Sequence, residues 1–153
     1  MAGLTTIQSL RCLPEIYALP YWSRLWIVQE VLLARKVILH FGDDSRTTKD
    51  WDILTKARHS LEQIPDDWGF HTDIGTTIND FKRSLPLRLD KQREHRDRGW
   101  PLYTLLITTE KSLCQNPRDK IYGLLGLAND FRGGDLDINY SKPLYKTYQD
   151  VIR

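Results

Sequence analysis

The run Trp22-Ser23-Arg24-Leu25-Trp26-Ile27-Val28-Gln29-Glu30 holds the residues of this chain best suited to do chemistry. A carboxylate and an amide stand beside two indoles, and such a carboxylate works as an acid or base only if its pKa is moved. On a helical wheel turning about 100° per residue, Trp22, Leu25, Trp26, Leu32 and Leu33 form one broad apolar face. Ile27, Val28, Val31 and Ala34 spread apolar surface over most of the rest, so a helix from about Trp22 to Arg35 is expected inside the fold. Gln29 falls in the middle of the most apolar face. Glu30 has Trp26, Ile27, Leu33 and Ala34 at its i±3 and i±4 positions, so no helical neighbour can pair with it. A carboxylate buried that way finds a distant cation or donor, or its pKa rises. Glu30 is then either a structural keystone or a working group.

The elements that must position this run are legible in part. Thr5 to Leu19 carry a moderate helical pattern broken at Pro14 and ended by Pro20. Val37 to Phe41 is a β-branched and aromatic run closed by Gly42-Asp43-Asp44, which reads as a strand and turn. Thr47 with Asp50 resembles a capping box with aspartate in place of glutamate. Trp51, Leu54, Arg58, Leu61 and Ile64 then recur at helical spacing until Pro65. Asp66 to Thr77 reads as loop, with Ile74, Ile78, Phe81 and Leu85 giving a short helix before Pro86. The segment Arg88 to Arg98 holds five cations and three anions. Such a mixed run reads as a solvated, flexible loop near 86–99, with a partner-docking surface as the minority reading.

Order returns at Trp100, where Leu102, Leu105, Leu106, Thr109 and Leu113 mark an amphipathic helix. Asn116 can cap a further helix, Pro117 suits its first position, and Asp119 favours the positive end of its dipole. The segment Ile121 to Leu127 is small and apolar and should pack closely. Asp137 to Tyr140 reads as extended, and Ser141 caps a last helix through Tyr145, Tyr148 and Ile152. No internal repeat is present. The fold class expected is α/β, helix-dominated, with one or two short strands.

Composition narrows the function classes. The 153 residues are 41% hydrophobic, enough for a core, and carry a net charge of +2 with 27% charged residues. The cations are spread along the chain, so nucleic acid is not an expected partner. Cys12 and Cys114 stand apart with no metal-ligand spacing, which favours a reducing, cytoplasmic setting over a disulfide scaffold or zinc site. His40, His59, His71 and His95 show no metal spacing either, so no metal is expected. No secretory signal opens the chain, and Gln29 and Glu30 interrupt its longest apolar stretch, so no membrane span is expected.

Three stretches together resemble a family. Tyr21 to Glu30 is similar to the closing Trp-x-Arg-x-Trp-x-x-Gln-Glu motif of the fungal heterokaryon-incompatibility (HET) domain, carried here by Trp22, Arg24, Trp26, Gln29 and Glu30. Asn116-Pro117-Arg118-Asp119-Lys120 looks like that family's downstream Asp-Pro-Arg-Asp-Lys segment, with Asn116 in the first place. Tyr140-Ser141-Lys142, followed by a tyrosine-bearing helix, is similar to the next block. Two blocks that the family carries upstream, Tyr-x-x-Leu-Ser-Tyr-x-Trp-Gly and Trp-Ile-Asp-x-x-Cys-Ile-Asn-Gln, are not in this sequence. The resemblance therefore implies residues 1–45 as the C-terminal part of a HET domain and 46–153 as a helical region after it. The whole is incomplete relative to a full, TIR-like HET domain.

What the resemblance implies is fungal non-self recognition and regulated cell death, through protein partners or self-association and without a cofactor. HET domains have also been compared with Toll/interleukin-1-receptor (TIR) domains, some of which cleave NAD. The four-residue step from Trp26 to Glu30 matches the Trp-Cys-x-x-Glu of plant members. That leaves an alternative in which Glu30 is catalytic, meets the ribose hydroxyls or the glycosidic bond of NAD, and Trp26 forms a stacking wall. A truncated, inactive paralogue is a further alternative, and the missing upstream blocks argue against an enzyme. No glycine loop to cradle phosphate is evident. If Glu30 is structural, Arg118 is its first candidate partner, and Glu30→Ala should destabilise the fold.

Overall fold

The computed structural model describes residues 17–40, 48–65, 67, 72–131 and 136–152. The described chain is helix-dominated, with seven α-helices: α1 (Ile27–Leu33), α2 (Asp52–Glu62), α3 (Asp73–Lys82), α4 (Leu85–Arg93), α5 (Leu102–Thr108), α6 (Asp119–Leu125) and α7 (Leu144–Ile152). Two three-residue strands, β1 (Ile38–His40) and β2 (Thr48–Asp50), pair antiparallel with Leu39 opposite Lys49. Within β1, Leu39 is buried between exposed neighbours, the alternation a pleated strand imposes. Phe41 and the turn predicted at 42–44 lie outside the described residues, as does Thr47 of the predicted capping box. Thr48–Asp50 is strand rather than helix cap, and α2 starts after it, following Trp51.

At the centre stands α4, which packs on α1, α2, α3 and α5. This corrects the expectation of a flexible charged loop near 86–99. Ser84 and Pro86 account for the helix start: Ser84 takes the extended N-cap conformation, and the ring of Pro86 falls in the first turn, where no amide donor is missed. Leu87, Leu89 and Asp90 are almost fully buried. Two cations of this segment, Arg93 and Arg96, are bound to the protein itself. Arg93 Nη1 donates to the carbonyls of Val31 and Ala34, and Arg96 donates to Leu33 and Ala34 at 3.1 and 2.9 Å. Those carbonyls end α1 and have no helical partner of their own. Positive charge there also suits the helix dipole.

A second departure concerns the tryptophan helix itself. Residues 22–35 do not form one rod. Pro20–Ser23 make a 3-10 turn, Arg24 is extended, and only from Ile27 does an α-helix run. The break is made by Leu113, whose backbone pairs with both sides of Arg24: Leu25 N donates to Leu113 O at 2.9 Å, and Leu113 N donates to Ser23 O. Within α1 the buried residues are Ile27, Val28, Val31 and Leu32. The outward stripe is then Trp26, Glu30 and Leu33, spaced four and three apart.

The remaining helices follow local rules. Leu54, Ala57, Arg58 and Leu61 form the inner face of α2. The region predicted as loop from Asp66 to Thr77 instead contains the start of α3, where Thr72 Oγ1 accepts from Gly75 N at 3.1 Å. Leu85 does not prolong α3, because the chain turns at Arg83 and Ser84 and restarts as α4. Asp137 to Tyr140 pairs with no strand among the described residues. One hydrophobic cluster runs from Trp22 to Leu127, so residues on both sides of the predicted boundary at 45 share a core.

Below that core lies a buried polar cluster. Asp90, only 2% exposed, accepts from Trp51 Nε1 (2.7 Å), Thr55 Oγ1 (2.6 Å) and Arg58 Nε (2.8 Å). Arg58 also bonds Glu62 at 2.7 Å and Glu94. Burial works against the Arg58 charge, but its hydrogen bonds to Asp90 and Glu62 and the charges of Asp90 and Glu94 outweigh it, so the guanidinium pKa is raised. The buried acid needing a companion from elsewhere in the chain is therefore Asp90, not Glu30.

Candidate functional site

The residues singled out from sequence fall into one contiguous assembly. Trp22 is buried, edge-on to Tyr21 at 5.5 Å and to Trp51 at 6.2 Å between ring centres. Trp26 is 41% exposed and lays the far edge of its indole over Gly123 of α6. The amide of Gln29 donates to the Gly123 carbonyl, which fixes α1 against α6 as a satisfied, half-buried polar contact. A Cβ at Gly123 would stand 3.5 Å from Trp26 and 3.6 Å from Leu25, so Gly123 packs closely as expected of this segment, while Gly126 faces open space.

The second and third stretches join from the other side. Asn116 Oδ1 accepts from Arg118 N at 3.0 Å, closing an Asx turn that leads into α6. Pro117 occupies that turn and is exposed. Arg118 donates from Nε (2.9 Å) and Nη2 to the carbonyl of Lys142, not to Glu30. Asp119 is 8% exposed and accepts from the Tyr140 hydroxyl at 2.8 Å. That bond, together with burial and the Asp119 charge, raises the Tyr140 pKa.

No protein-family model, no curated protein and no solved structure matches the chain. Glu30 is exposed, contrary to the buried position expected of it, because the helix phase set by the break at Arg24 turns it outward with Trp26 and Leu33. Its Oε2 accepts from the Tyr21 hydroxyl at 3.0 Å, and Arg24 lies 6.0 Å from the same ring. Desolvation, the Glu30 hydrogen bond and the Glu30 charge together push the Tyr21 phenol up, with Arg24 opposing. Three clefts formed by described residues are lined without Glu30, Trp26 or Asp119. No three His, Cys, Asp or Glu side chains among the described residues gather to hold a metal, and no described helix is long and apolar enough to cross a membrane.

A consequence can be measured. Glu30→Ala should leave stability within about 0.5 kcal/mol, since the side chain is solvated and its one partner is a surface phenol. In Glu30→Gln the Tyr21 pKa should fall, because the negative acceptor that holds the phenolic proton is gone. Chemical denaturation and a carbon-13 titration of the tyrosine ring would check both. A melting transition lost in Glu30→Ala would return the keystone role to this residue.

Sequence reading missed Asp90 and Gln92, which it placed in a solvated run. The signal was present in Ser84 followed by Pro86, a helix start of the kind recognised at Asn116-Pro117.

Proposed function

We propose that the chain is the C-terminal part of a HET domain with the region that follows it, and that it serves fungal non-self recognition and regulated cell death in the cytoplasm by binding protein partners or itself. The observation that carries this reading is the mutual docking of the three family-like stretches. Gln29 and Trp26 of the first stretch meet Gly123 of the second. Arg118 and Asp119 of the second meet Lys142 and Tyr140 of the third. Residues whose types match a motif are thereby used as a motif would use them, to hold distant segments together.

An interaction role draws support from the outward stripe of α1, where Trp26 and Leu33, at 57% exposure, flank Glu30. The alternative of a TIR-like enzyme that cleaves NAD with Glu30 has less support, since Glu30 is exposed, is bonded to Tyr21 and lines none of the three clefts.

Overexpression in a fungal host is the test. Cell death that survives Glu30→Ala but is lost in Leu33→Asp, with the melting temperature retained, is the expected result. NAD hydrolysis by the purified protein, abolished in Glu30→Ala, would overturn the reading in favour of the enzyme.

A further inference from the structure

The ribbon of β1 and β2 has an open side. Trp51 N donates to Val37 O at 3.2 Å, and Leu39 stands opposite Lys49. Bonded and non-bonded pairs alternate along an antiparallel ladder, so Val37 and Leu39 turn their backbone groups to β2 and Ile38 turns its own away. The two strands are the whole sheet among the described residues. Neither the N–H nor the C=O of Ile38, a residue 42% exposed, has a hydrogen-bond partner among them. An edge of this kind is a template for another extended chain.

A cleft of about 360 Å³ runs beside the same edge. All four residues 37–40 line it, although neighbours on a pleated strand point to opposite faces, so the space follows the margin of the strand rather than one face. Leu19, Tyr21, Trp22 and Val31 give it apolar and aromatic walls. Tyr21 and Trp22 meet edge-on at 5.5 Å, and Trp22 and Trp51 at 6.2 Å, which fixes the aromatic wall. None of the described lining residues is acidic. Where the chain enters β1, Arg35 and Lys36 are both exposed. Lys36 has Asp50 at 3.4 Å, and Arg35 has no ion-pair partner among the described residues, so this end of the edge is positive.

We infer that this edge captures an extended segment of another protein, antiparallel to β1, by strand addition. One residue of the segment exchanges both backbone bonds with Ile38. The residues on either side of it turn their side chains to the face of Val37 and Leu39, so apolar ones enter the cleft beside Tyr21, Trp22 and Val31. Antiparallel pairing brings the C-terminal end of the segment to Arg35 and Lys36, where an acidic residue is favoured. The sequence preferred is apolar, any residue, apolar, acidic. Capture here does not involve the outward stripe of α1.

Fluorescence anisotropy of fluorescein-labelled Val-Thr-Val-Asp amide, titrated with the full chain, tests this. N-methylation of the threonine nitrogen removes the donor to Ile38 O and crowds the edge, and should weaken binding at least about tenfold. Lysine in place of the aspartate should weaken it about threefold at low salt and less at high salt. The Ile38 amide should exchange more slowly with solvent in the complex, and that of Leu39, already turned to β2, should not change. Ile38→Pro removes only an outward donor and should weaken binding about tenfold with the Leu39–Lys49 pairing retained. Should that variant lose the ribbon, the N-methylated peptide still decides on the native chain. No binding, equal binding of the N-methylated peptide, an unaltered Ile38 amide, or self-association of the chain that protects Ile38 in place of the peptide would each overturn the inference.

Discussion

Asp90→Ala is expected to lower the stability of this protein by about 3–5 kcal/mol, the range for breaking a buried ion pair from one side. The substitution removes the acceptor for Trp51 Nε1, Thr55 Oγ1 and Arg58 Nε in one step. An indole N–H and a hydroxyl lose their partner, and a guanidinium whose side chain is 8% exposed keeps only Glu62, Glu94 and His59. Arg58→Met should cost a similar amount, because buried Asp90 is then left with two neutral donors and without its guanidinium partner. The joint Asp90→Leu/Arg58→Met change should cost less than the sum, since neither charge is left stranded. Because the arginine pKa is raised on folding, its contribution is fully present below the unfolded value and is lost only as pH climbs through the still higher folded one. The cost should therefore be the same at every practical pH as far as Arg58 is concerned. Urea unfolding of the three variants measures it. A loss below about 1 kcal/mol for either single change would mark the pair as a solvated one of surface type.

The second large effect is expected at Leu89→Ala, at about 2–5 kcal/mol. Leu89 is fully buried on the helix that touches α1, α2, α3 and α5, so the cavity opens where four elements meet and none can close it without leaving the others. Leu89→Met keeps the volume and should cost less than about 1.5 kcal/mol. Denaturation midpoints with an unchanged dependence on denaturant would establish the pair. Equal stability of the two variants would show that the helices move in to fill the space.

These two residues also show where sequence was readable. β1, α2 and the body of α5 were visible because each depends on residues close by, an alternation or a 3.6-residue stripe. But α5 stops at Thr108 rather than running to Leu113, and Asn116 closes an Asx turn instead of capping α6, which starts at Asp119. Leu89 and Asp90 were hidden because the composition around them is that of a solvated loop. Nothing local tells that Arg93 and Arg96 will bond the carbonyls of Val31, Leu33 and Ala34. Glu30 was misplaced for a related reason. Its wheel was phased from Trp22, but Leu113 breaks the helix at Arg24 and resets the phase, so that Trp26, Glu30 and Leu33 face outward while Leu25 and Leu32 stay buried. Gln29 kept its expected role because its partner, the Gly123 carbonyl, lies on the side that the new phase still presents inward.

The arginine bonds at the end of α1 join residues about sixty positions apart, with separations of 59 to 63. A helix of seven residues does not persist alone in water. As the polypeptide leaves the ribosome, the tryptophan-bearing segment must then wait for Arg93 and Arg96, and after them for Leu113 and Gly123, to be synthesised. Its maturation is timed by translation of the very stretch that supplies its last hydrogen bonds, and a chain interrupted before that point would present bare tryptophans to the chaperones.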